Sequence, residues 1–410
     1  MISFDFDKNC YGCKACEAVC PKKAISMKTN TEGFSMPFVD EALCVNCHLC
    51  ETVCPHLSPV LTPIPFQERK FLSAFSKNDE NRAVATSGGI FRPVAEWVLQ
   101  QGGWVCGCIW NEKLEAEHIL TNDLAVVKRM QGSKYVQSDT KDCFLKIKEK
   151  LQKDTLILFT GTPCQVGGLL SYVGQHKNLY TIALFCSGVP SPKIWLANKK
   201  FIEKKYNAKL VNVNMRCKGQ TGWQSPTIRY DFENGKTVQY LSYGNDRYVK
   251  SFIQGLFLRN SCHHCQYKGT GHNADWIIGD YWGAPAPIMI ESANRGVSAV
   301  ILNTAKGFNL WNELASKFYS QSVSLDSILA CNRRVMAPGP VHSNRRAFFE
   351  NLDKLGFIEC IKTFSRKDAL ISAIKDISYR TGFYLLAKKM LAFLRGSNWA
   401  RLTRKSNNGK

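Results

Sequence analysis

The sequence predicts a protein of mixed α+β and α/β class. A short cysteine-rich module comes first, a larger mixed α/β domain follows, and a helical, basic region ends the chain. Three observations carry this reading. Eight of the eighteen cysteines fall in two copies of one spacing within the first sixty residues. After them, strand-like and helix-like stretches alternate as they do in layered α/β domains. The last fifty residues hold twelve Lys or Arg against two Asp, whereas the first sixty hold five Lys against seven Asp or Glu, so about half of the net charge of +21 sits in the tail.

A chain of 410 residues accommodates two or three domains. The expected boundaries are 1–60 for the cysteine module, 61–72 for a linker, 73–345 for the α/β domain and 346–410 for the basic helical region. A hydrophobic share of 45% and a charged share of 21% describe a globular protein. The opening "MISFDFDKNC" lacks the apolar run of a leader peptide. Eighteen cysteines therefore read as reduced, metal-bound or buried thiols of a cytoplasmic protein, not as a disulfide framework. The most apolar late stretch, "FYLLAKKMLAFL", is split by Lys388 and Lys389 and is too short to cross a bilayer.

"CYGCKACEAVCP" contains Cys10, Cys13, Cys16 and Cys20, and "CVNCHLCETVCP" contains Cys44, Cys47, Cys50 and Cys54. Each is C-x-x-C-x-x-C-x-x-x-C-P, the bacterial run for a [4Fe–4S] cluster, whose fourth cysteine serves the other cluster. One cluster is then assigned to Cys10, Cys13, Cys16 and Cys54, the other to Cys44, Cys47, Cys50 and Cys20. Zinc on the same thiols is the bland alternative. This stretch resembles a two-cluster ferredoxin. It has no room for a substrate pocket, so any chemistry lies downstream or on another protein.

"LTPIPFQERK", with two prolines and no periodicity, reads as linker. "RPVAEWVLQQGG" is helical, with Pro93 near its first turn. "WVCGCIW" is a strand, "DCFLKIKEKLQ" an amphipathic helix, and "TLILFTG" a buried strand followed by a helix through "CQVGGLLSYVG". "LYTIALFC" and the helix "KIWLANKKFIEKKY" repeat that pattern. "LVNVNM", "PTIRYDF" and "KTVQYL" form a run of strands, giving an antiparallel portion. "ADWIIGDYWG" and "GVSAVILN" are two more strands.

Three loops are rich in small residues. "ATSGGIF" places Ser87, Gly88 and Gly89 before a helix, "QGSKYVQSDT" offers Ser133, Lys134 and Ser138, and "FTGTPCQ" sets Gly161, Thr162 and Pro163 between a strand and a helix. Small residues at a helix start let backbone N–H groups reach a phosphate, although each loop alone also fits an ordinary cap. A chain that takes single electrons and performs two-electron chemistry needs an intermediary, and a flavin is the usual one.

"TSGG", "GSKYVQSDT", "GTPCQV", "CSGVPSPK" and "CHHCQYKGTGHNADWIIGDYWG" occur in this order. Together they resemble the family of beta subunits of coenzyme F-420 (deazaflavin) hydrogenases and dehydrogenases, from about Ser73 to about Val335. The resemblance implies an FAD-containing iron–sulfur oxidoreductase. Motif by motif, it makes Ser87, Gly88, Gly89, Ser133, Lys134, Tyr135, Gln137 and Ser138 flavin-site candidates, joined by Gly161, Thr162, Pro163 and Asp280. Asp280 equally fits a helix cap or a buried structural acid. Gln131 stands where many members have Arg, Ser187 where Cys-His-Gly-Val-Pro is usual, and Cys217 where Asp is common. These departures bear on the substrate side more than on the flavin.

Cys164 and Cys186 each follow or end a buried strand, at the carboxyl edge where ligands collect in α/β folds. With Cys262 and Cys265 of "CHHC" they make four thiols, the number a third [4Fe–4S] cluster needs, and the resemblance implies the same four. Zinc on these four, and Cys217 in place of one, are the alternatives. His263 and His264 are expected to be exposed loop histidines without a metal role. Cys106 and Cys108 share a strand face and suit core packing or a ligand pair, while the isolated Cys331 and Cys360 read as ordinary buried cysteines.

In the tail, Leu370, Ile374 and Ile377, then Phe383, Leu386 and Met390, mark amphipathic helices with a basic face. They suit a helical cap or a helix on an anionic membrane surface, and no nucleic-acid motif accompanies them. The expected function is an iron–sulfur flavoprotein oxidoreductase exchanging electrons between a ferredoxin-type protein and an organic hydride acceptor. A lipid-linked acceptor in a surface-polysaccharide pathway, at the inner face of the membrane, would suit the tail. The alternative is a non-catalytic iron–sulfur protein docking a partner enzyme.

Overall fold

A computed structural model describes residues 1–60, 65, 68–219, 221–242 and 246–365. In the N-terminal module, two short helices, Ala15–Val19 and Leu49–Thr52, occupy equivalent places in the two cysteine runs. Each begins after a residue in the left-handed region, Lys14 at φ 68° and His48 at φ 59°. Each holds the third cysteine of its run inside the helix and releases the fourth at or just beyond its end, so the fourth is no longer bound to the helical direction. An antiparallel hairpin, Ile25–Thr29 with Ser35–Val39, completes the module.

The larger part is built on an eight-stranded mixed sheet. From edge to edge its strands are Phe318–Ser322, Lys70–Ser76, Ser298–Leu302, Trp276–Asp280, Leu179–Leu184, Ile157–Gly161, Trp104–Trp110 and Ala116–Thr121. The four from Trp276–Asp280 through Trp104–Trp110 are parallel to one another, and the outer pairings are antiparallel. The parallel strands are covered on both faces, which is why Ile157, Leu158 and Phe159 are all buried and why "TLILFTG" shows no alternation.

The strands expected at 104–110, 155–161, 179–186, 274–283 and 296–303 all form, most with slightly shorter ends. The expected antiparallel run is a separate three-stranded sheet of Leu210–Cys217, Thr227–Phe232 and Thr237–Leu241. It shares an apolar core with helices Pro192–Tyr206, Arg247–Gln254 and Arg345–Phe364, centred on Trp195, Tyr230, Tyr248, Phe257 and Phe348.

One boundary needs correction. The stretch read as linker to residue 72 already contains the start of strand Lys70–Ser76, which lies inside the large sheet between two antiparallel partners. The expected C-terminal helix runs over Arg345–Phe364 and breaks at Gly356, whose φ is 75°. The basic tail from residue 366, with its expected membrane-facing helices, lies outside the described residues. Among the described residues no helix is long and apolar enough to cross a membrane.

The cysteine module is seated on the large sheet's helix Pro163–Val173. Gly168 in that helix makes the seat, and Gly167 beside it makes room for Tyr267 of the larger part. A Cβ on Gly168 would meet the Cys13 Sγ at 2.8 Å, and one on Gly167 would meet the Tyr267 hydroxyl at 2.3 Å. Glycine inside a helix costs about 1 kcal/mol relative to alanine, and here it allows two close approaches. On the other side the hairpin's Glu32 pairs with both terminal nitrogens of Arg345, whose Nε also donates to the Leu258 carbonyl at 2.9 Å.

Candidate functional site

Three adjacent parallel strands end at one edge of the sheet and deliver the site. After Ile157–Gly161 the chain turns at Thr162 into helix Pro163–Val173, with Cys164 in its first turn. After Leu179–Leu184 comes Cys186, and Trp276–Asp280 ends in Asp280. A short 3-10 turn, Asn260–His264, carries Cys262, with Cys265 directly after it.

Cys164, Cys186, Cys262 and Cys265 line one mostly apolar pocket together with Tyr11 and Tyr267. Backbone N–H groups already point at two of the sulfurs: Gly188 N donates to Cys186 Sγ at 3.4 Å and Val189 N to Cys262 Sγ at 3.4 Å. Burial and the neighbouring sulfurs push the Cys164 thiol well up. They push Cys262 up to about 12 and Cys265 to about 11. Four crowded thiols, with N–H donors aimed at two of the sulfurs, are a donor set that suits thiolates bound to a cationic cluster. Cys217, the competing candidate, is at the end of its strand in the separate sheet beside Gly219 and Thr227 and does not line this pocket.

The N-terminal cysteines sort into two groups. Cys20, Cys44, Cys47 and Cys50 line one pocket. Cys10, Cys13, Cys16 and Cys54 lie close together: burial first, and then the neighbouring sulfurs, Cys10 among them, push the thiols of Cys13, Cys16 and Cys54 up. The first group faces outward: Cys47 is exposed, as are Leu43, Val45 and Leu49 around it. The second faces inward, against the Pro163–Val173 helix.

Beside the four-cysteine pocket opens a cleft of about 1110 Å³, large enough for a dinucleotide-sized cofactor. Ser87, Gly89, Ser133, Lys134, Tyr135, Gln137, Ser138, Gly161, Thr162 and Asp280 line it, whereas Gly88 and Pro163 do not. Gly88 acts behind the wall, where a Cβ would press to 2.5 Å from the Ala74 carbonyl oxygen. Gly89 has φ +80° and packs on Asn81, whose Nδ2 donates to the Gly89 carbonyl at 2.7 Å and whose Oδ1 accepts from Gln131 at 2.8 Å. Gln165 Nε2 donates to Ser138 Oγ at 3.0 Å while its Oε1 accepts from Thr162 N at 3.0 Å, locking two of the loops together. Cys164 and Cys186 line both this cleft and the four-cysteine pocket.

Several candidates have side chains already engaged. The Lys134 ammonium donates to the carbonyls of Arg129, Met130, Gln131 and Gly132 at 3.2–3.3 Å, closing the end of helix Leu124–Met130. Gln137 spans the Tyr11 carbonyl and Arg259. Asp280 pairs with Arg216 and accepts from Trp223 Nε1 at 2.7 Å. Trp282 stacks on Trp223 with ring centroids 4.8 Å apart and lies under the Arg216 guanidinium. The structural-acid reading of Asp280 is thus the one its contacts favour. Nearby, the buried Lys218 donates to the carbonyls of Arg82, Ser87 and Arg295. Burial, together with Arg82, Arg216 and Arg295, pushes its ammonium down to about 7 against the opposing pull of Asp280.

Other cysteines depart from expectation. Cys331 is exposed and lines the cleft, so it is no buried core residue, whereas Cys360 is fully buried. Cys106 is buried against Cys143, and Cys108, on the same strand face, lines the cleft beside Ser138. His263 is not an exposed loop residue either. It is buried, with Nδ1 at 2.9 Å from the Gly339 carbonyl oxygen, and His264 alone is exposed. Sequence reasoning missed Gln165, His118, Arg216 and Trp282 as cleft residues. Gln165 was within reach, since it stands three residues after Thr162 in a helix-capping pattern.

Residues 154–327 match the family model for the C terminus of the beta subunit of coenzyme F420 hydrogenase/dehydrogenase, and residues 9–57 match the 4Fe-4S dicluster domain. Among curated proteins, the F component of the F(420)H(2) dehydrogenase of Methanosarcina mazei is 26% identical over 287 residues, covering 67% of this chain and 76% of that protein. Among solved structures, a chain of the F420-reducing [NiFe] hydrogenase complex from Methanosarcina barkeri is similar, with a TM-score of 0.44 and 16% identity, covering 69% of this chain and 92% of that one.

Proposed function

We propose that this chain, which belongs to the family of coenzyme F420 hydrogenase/dehydrogenase beta subunits and carries a 4Fe-4S dicluster domain, exchanges electrons between a protein partner and an organic hydride acceptor or donor. In this reading it holds three [4Fe–4S] clusters and an FAD. The observation that carries the reading is the double role of Cys164 and Cys186, which line a four-thiol pocket on one side and a cofactor-sized cleft on the other.

The ligand sets would be Cys20, Cys44, Cys47 and Cys50 on the exposed side of the module, Cys10, Cys13, Cys16 and Cys54 on its docked side, and Cys164, Cys186, Cys262 and Cys265 at the sheet edge. Ser87, Gly89, Ser133, Tyr135, Ser138, Gly161 and Thr162 would hold the flavin. The clusters supply single-electron carriage, and the flavin supplies the exchange between single electrons and hydride. The residues themselves bind and orient. The amino end of the eleven-residue helix Pro163–Val173, its first N–H groups closed by the Thr162–Gln165 cap, turns a positive dipole towards the cleft, which favours an anion there. Gln165 fixes the relative position of two lining loops. Arg216, pinned by Asp280, and Trp282 form a cationic and aromatic wall. Arg333, Arg334 and Lys250 also line the cleft, which suits an anionic acceptor. The exposed apolar rim around Cys47 suits contact with an electron-carrying protein.

Anaerobic reconstitution with iron, sulfide and FAD tests the reading. About twelve irons per chain, from three four-iron clusters, and a bound flavin that dithionite reduces are expected. About eight irons and no flavin spectrum with FAD in excess would overturn it in favour of a non-catalytic iron–sulfur protein.

A further inference from the structure

Arg259 is completely buried and holds the module, the cleft and the sheet-edge pocket together. Its Nε donates to the Cys10 carbonyl at 2.6 Å, Nη1 to Gln137 Oε1 at 2.9 Å, and Nη2 to the Ser35 carbonyl at 2.9 Å and to Met36 Sδ at 3.0 Å. Every one of these acceptors is neutral. Among the described residues no ion pair joins a carboxylate to it. A guanidinium stays protonated in a protein, and burying its charge is costly. The Phe34 ring, 5.3 Å from the guanidinium carbon, offers a π face but no full negative charge, so the site favours an anionic neighbour.

The surroundings indicate where. On one side the guanidinium packs on the loop between Cys10 and Cys13: a Cβ on Gly12 would meet Arg259 Nη1 at 2.8 Å. On the other side Arg259 lines the pocket with Cys164, Cys186, Cys262 and Cys265, and its carbonyl accepts from Cys262 N at 3.0 Å.

We propose that Arg259 is the shared counter-cation of two iron–sulfur clusters, one held by Cys10, Cys13, Cys16 and Cys54 and one by Cys164, Cys186, Cys262 and Cys265, and that its charge raises the reduction potentials of both. The inference rests on the three-cluster reading above. A one-electron reduction of a thiolate-ligated cluster adds one negative charge and takes up no proton. A fixed cation in a low-dielectric interior therefore favours the reduced form. The pocket of Cys20, Cys44, Cys47 and Cys50 does not include Arg259 and opens outward.

The test compares full-length wild type, Arg259→Lys and Arg259→Met after anaerobic reconstitution, by iron content and by dithionite titration with redox mediators followed by EPR. Arg259→Met is expected to keep its iron while two of three cluster midpoints move downward and the third stays near its wild-type value. Arg259→Lys, which keeps the charge, stays close to wild type in all three. Wild-type midpoints in Arg259→Met would overturn the proposal. So would an equal downward shift in Arg259→Lys, which would assign the effect to hydrogen-bond geometry. If Arg259→Met does not hold iron, assembly becomes the readout, with Arg259→Gln added. Iron retained in Arg259→Lys and lost in Arg259→Gln supports a need for charge, and loss in all three overturns it. About eight irons in the wild type would instead refute the three-cluster reading, and the midpoint of the Cys10-loop cluster would still decide the role of Arg259 there.

Discussion

Gly168→Ala is a one-atom test of how the cysteine module is seated. The new Cβ would lie 2.8 Å from Cys13 Sγ and 3.0 Å from Cys13 Cβ, where ordinary contact begins near 3.4 Å. The cysteine would have to retreat by roughly 0.6 Å, the difference between those separations. Two opposed quantities set the outcome. Alanine is favoured over glycine inside a helix by about 1 kcal/mol, and overpacking a filled core costs about 1–3 kcal/mol. In the metal-free chain the Cys13 sulfur can turn away, which leaves only the 3.0 Å contact with its Cβ to be relieved by a small shift, so the helix gain offsets it and thermal stability changes little. With a cluster bound, the sulfur is fixed and the clash is felt, leaving a net penalty of up to about 2 kcal/mol, or as much as a thirty-fold change in an equilibrium. The assay is the bleaching of cluster absorbance by a chelator, with iron content measured alongside. Gly271→Ala, whose added Cβ would have nothing within 4 Å, is the control. Bleaching of Gly168→Ala at the control rate would refute the reasoning, as would a metal-free variant destabilised as much as the loaded one.

Three further outcomes follow from the same geometry. Cys265→Ser is expected to lower the iron content by about four atoms per chain while the EPR signals of the N-terminal clusters persist; loss of all iron would instead mean that the sites do not assemble independently. Gly89→Ala forces a Cβ into a φ of +80° and to 2.8 Å from Asn81 Nδ2, a strain of about 1–2 kcal/mol that the flavin-free chain relieves by shifting the loop, so on the proposed flavin reading FAD affinity should fall about tenfold with iron unchanged, as measured by flavin fluorescence titration. The third concerns Lys218, whose ammonium is pushed down to about 7 from an ordinary 10.5. Between those values the unfolded chain binds more protons than the folded one, so stability rises as pH increases from about 7 through 10. Denaturation midpoints across that range should climb less steeply in Lys218→Met than in wild type, and parallel curves would count against it.

Much of the architecture was legible because its signals are local. Strands such as Ile157–Gly161 are continuous apolar runs ending in glycine, and helix Pro163–Val173 announces itself with a Thr-Pro start. The missed strands have a common physical reason. Ala116–Thr121 and Phe318–Ser322 are the two edges of the sheet, each with polar residues along much of its length, so no apolar run marks them. Lys70–Ser76 was masked by the proline-rich stretch just before it. Site residues followed the same rule. Thiols at motif spacing, and small residues in loops before helices, could be picked out from the chain alone. What Lys134, Gln137 and Asp280 touch depends on the folded chain: Gln137 answers to Tyr11 and Arg259, and Asp280 to Arg216 and Trp223. Nor does any local pattern mark Arg259 as buried, since its backbone partners, the Cys10 and Ser35 carbonyls, lie some 220–250 positions away.

The wall formed by Cys164 and Cys186 belongs to two cavities at once. Any substitution that reshaped the cleft at that end would also disturb the thiol pocket behind it, so the two cannot diverge separately. Freedom to vary is left around Arg216 and Trp282, which line the cleft but not the thiol pocket. A lineage built on this fold can therefore alter that part of the cleft while the wall shared with the thiols is inherited intact.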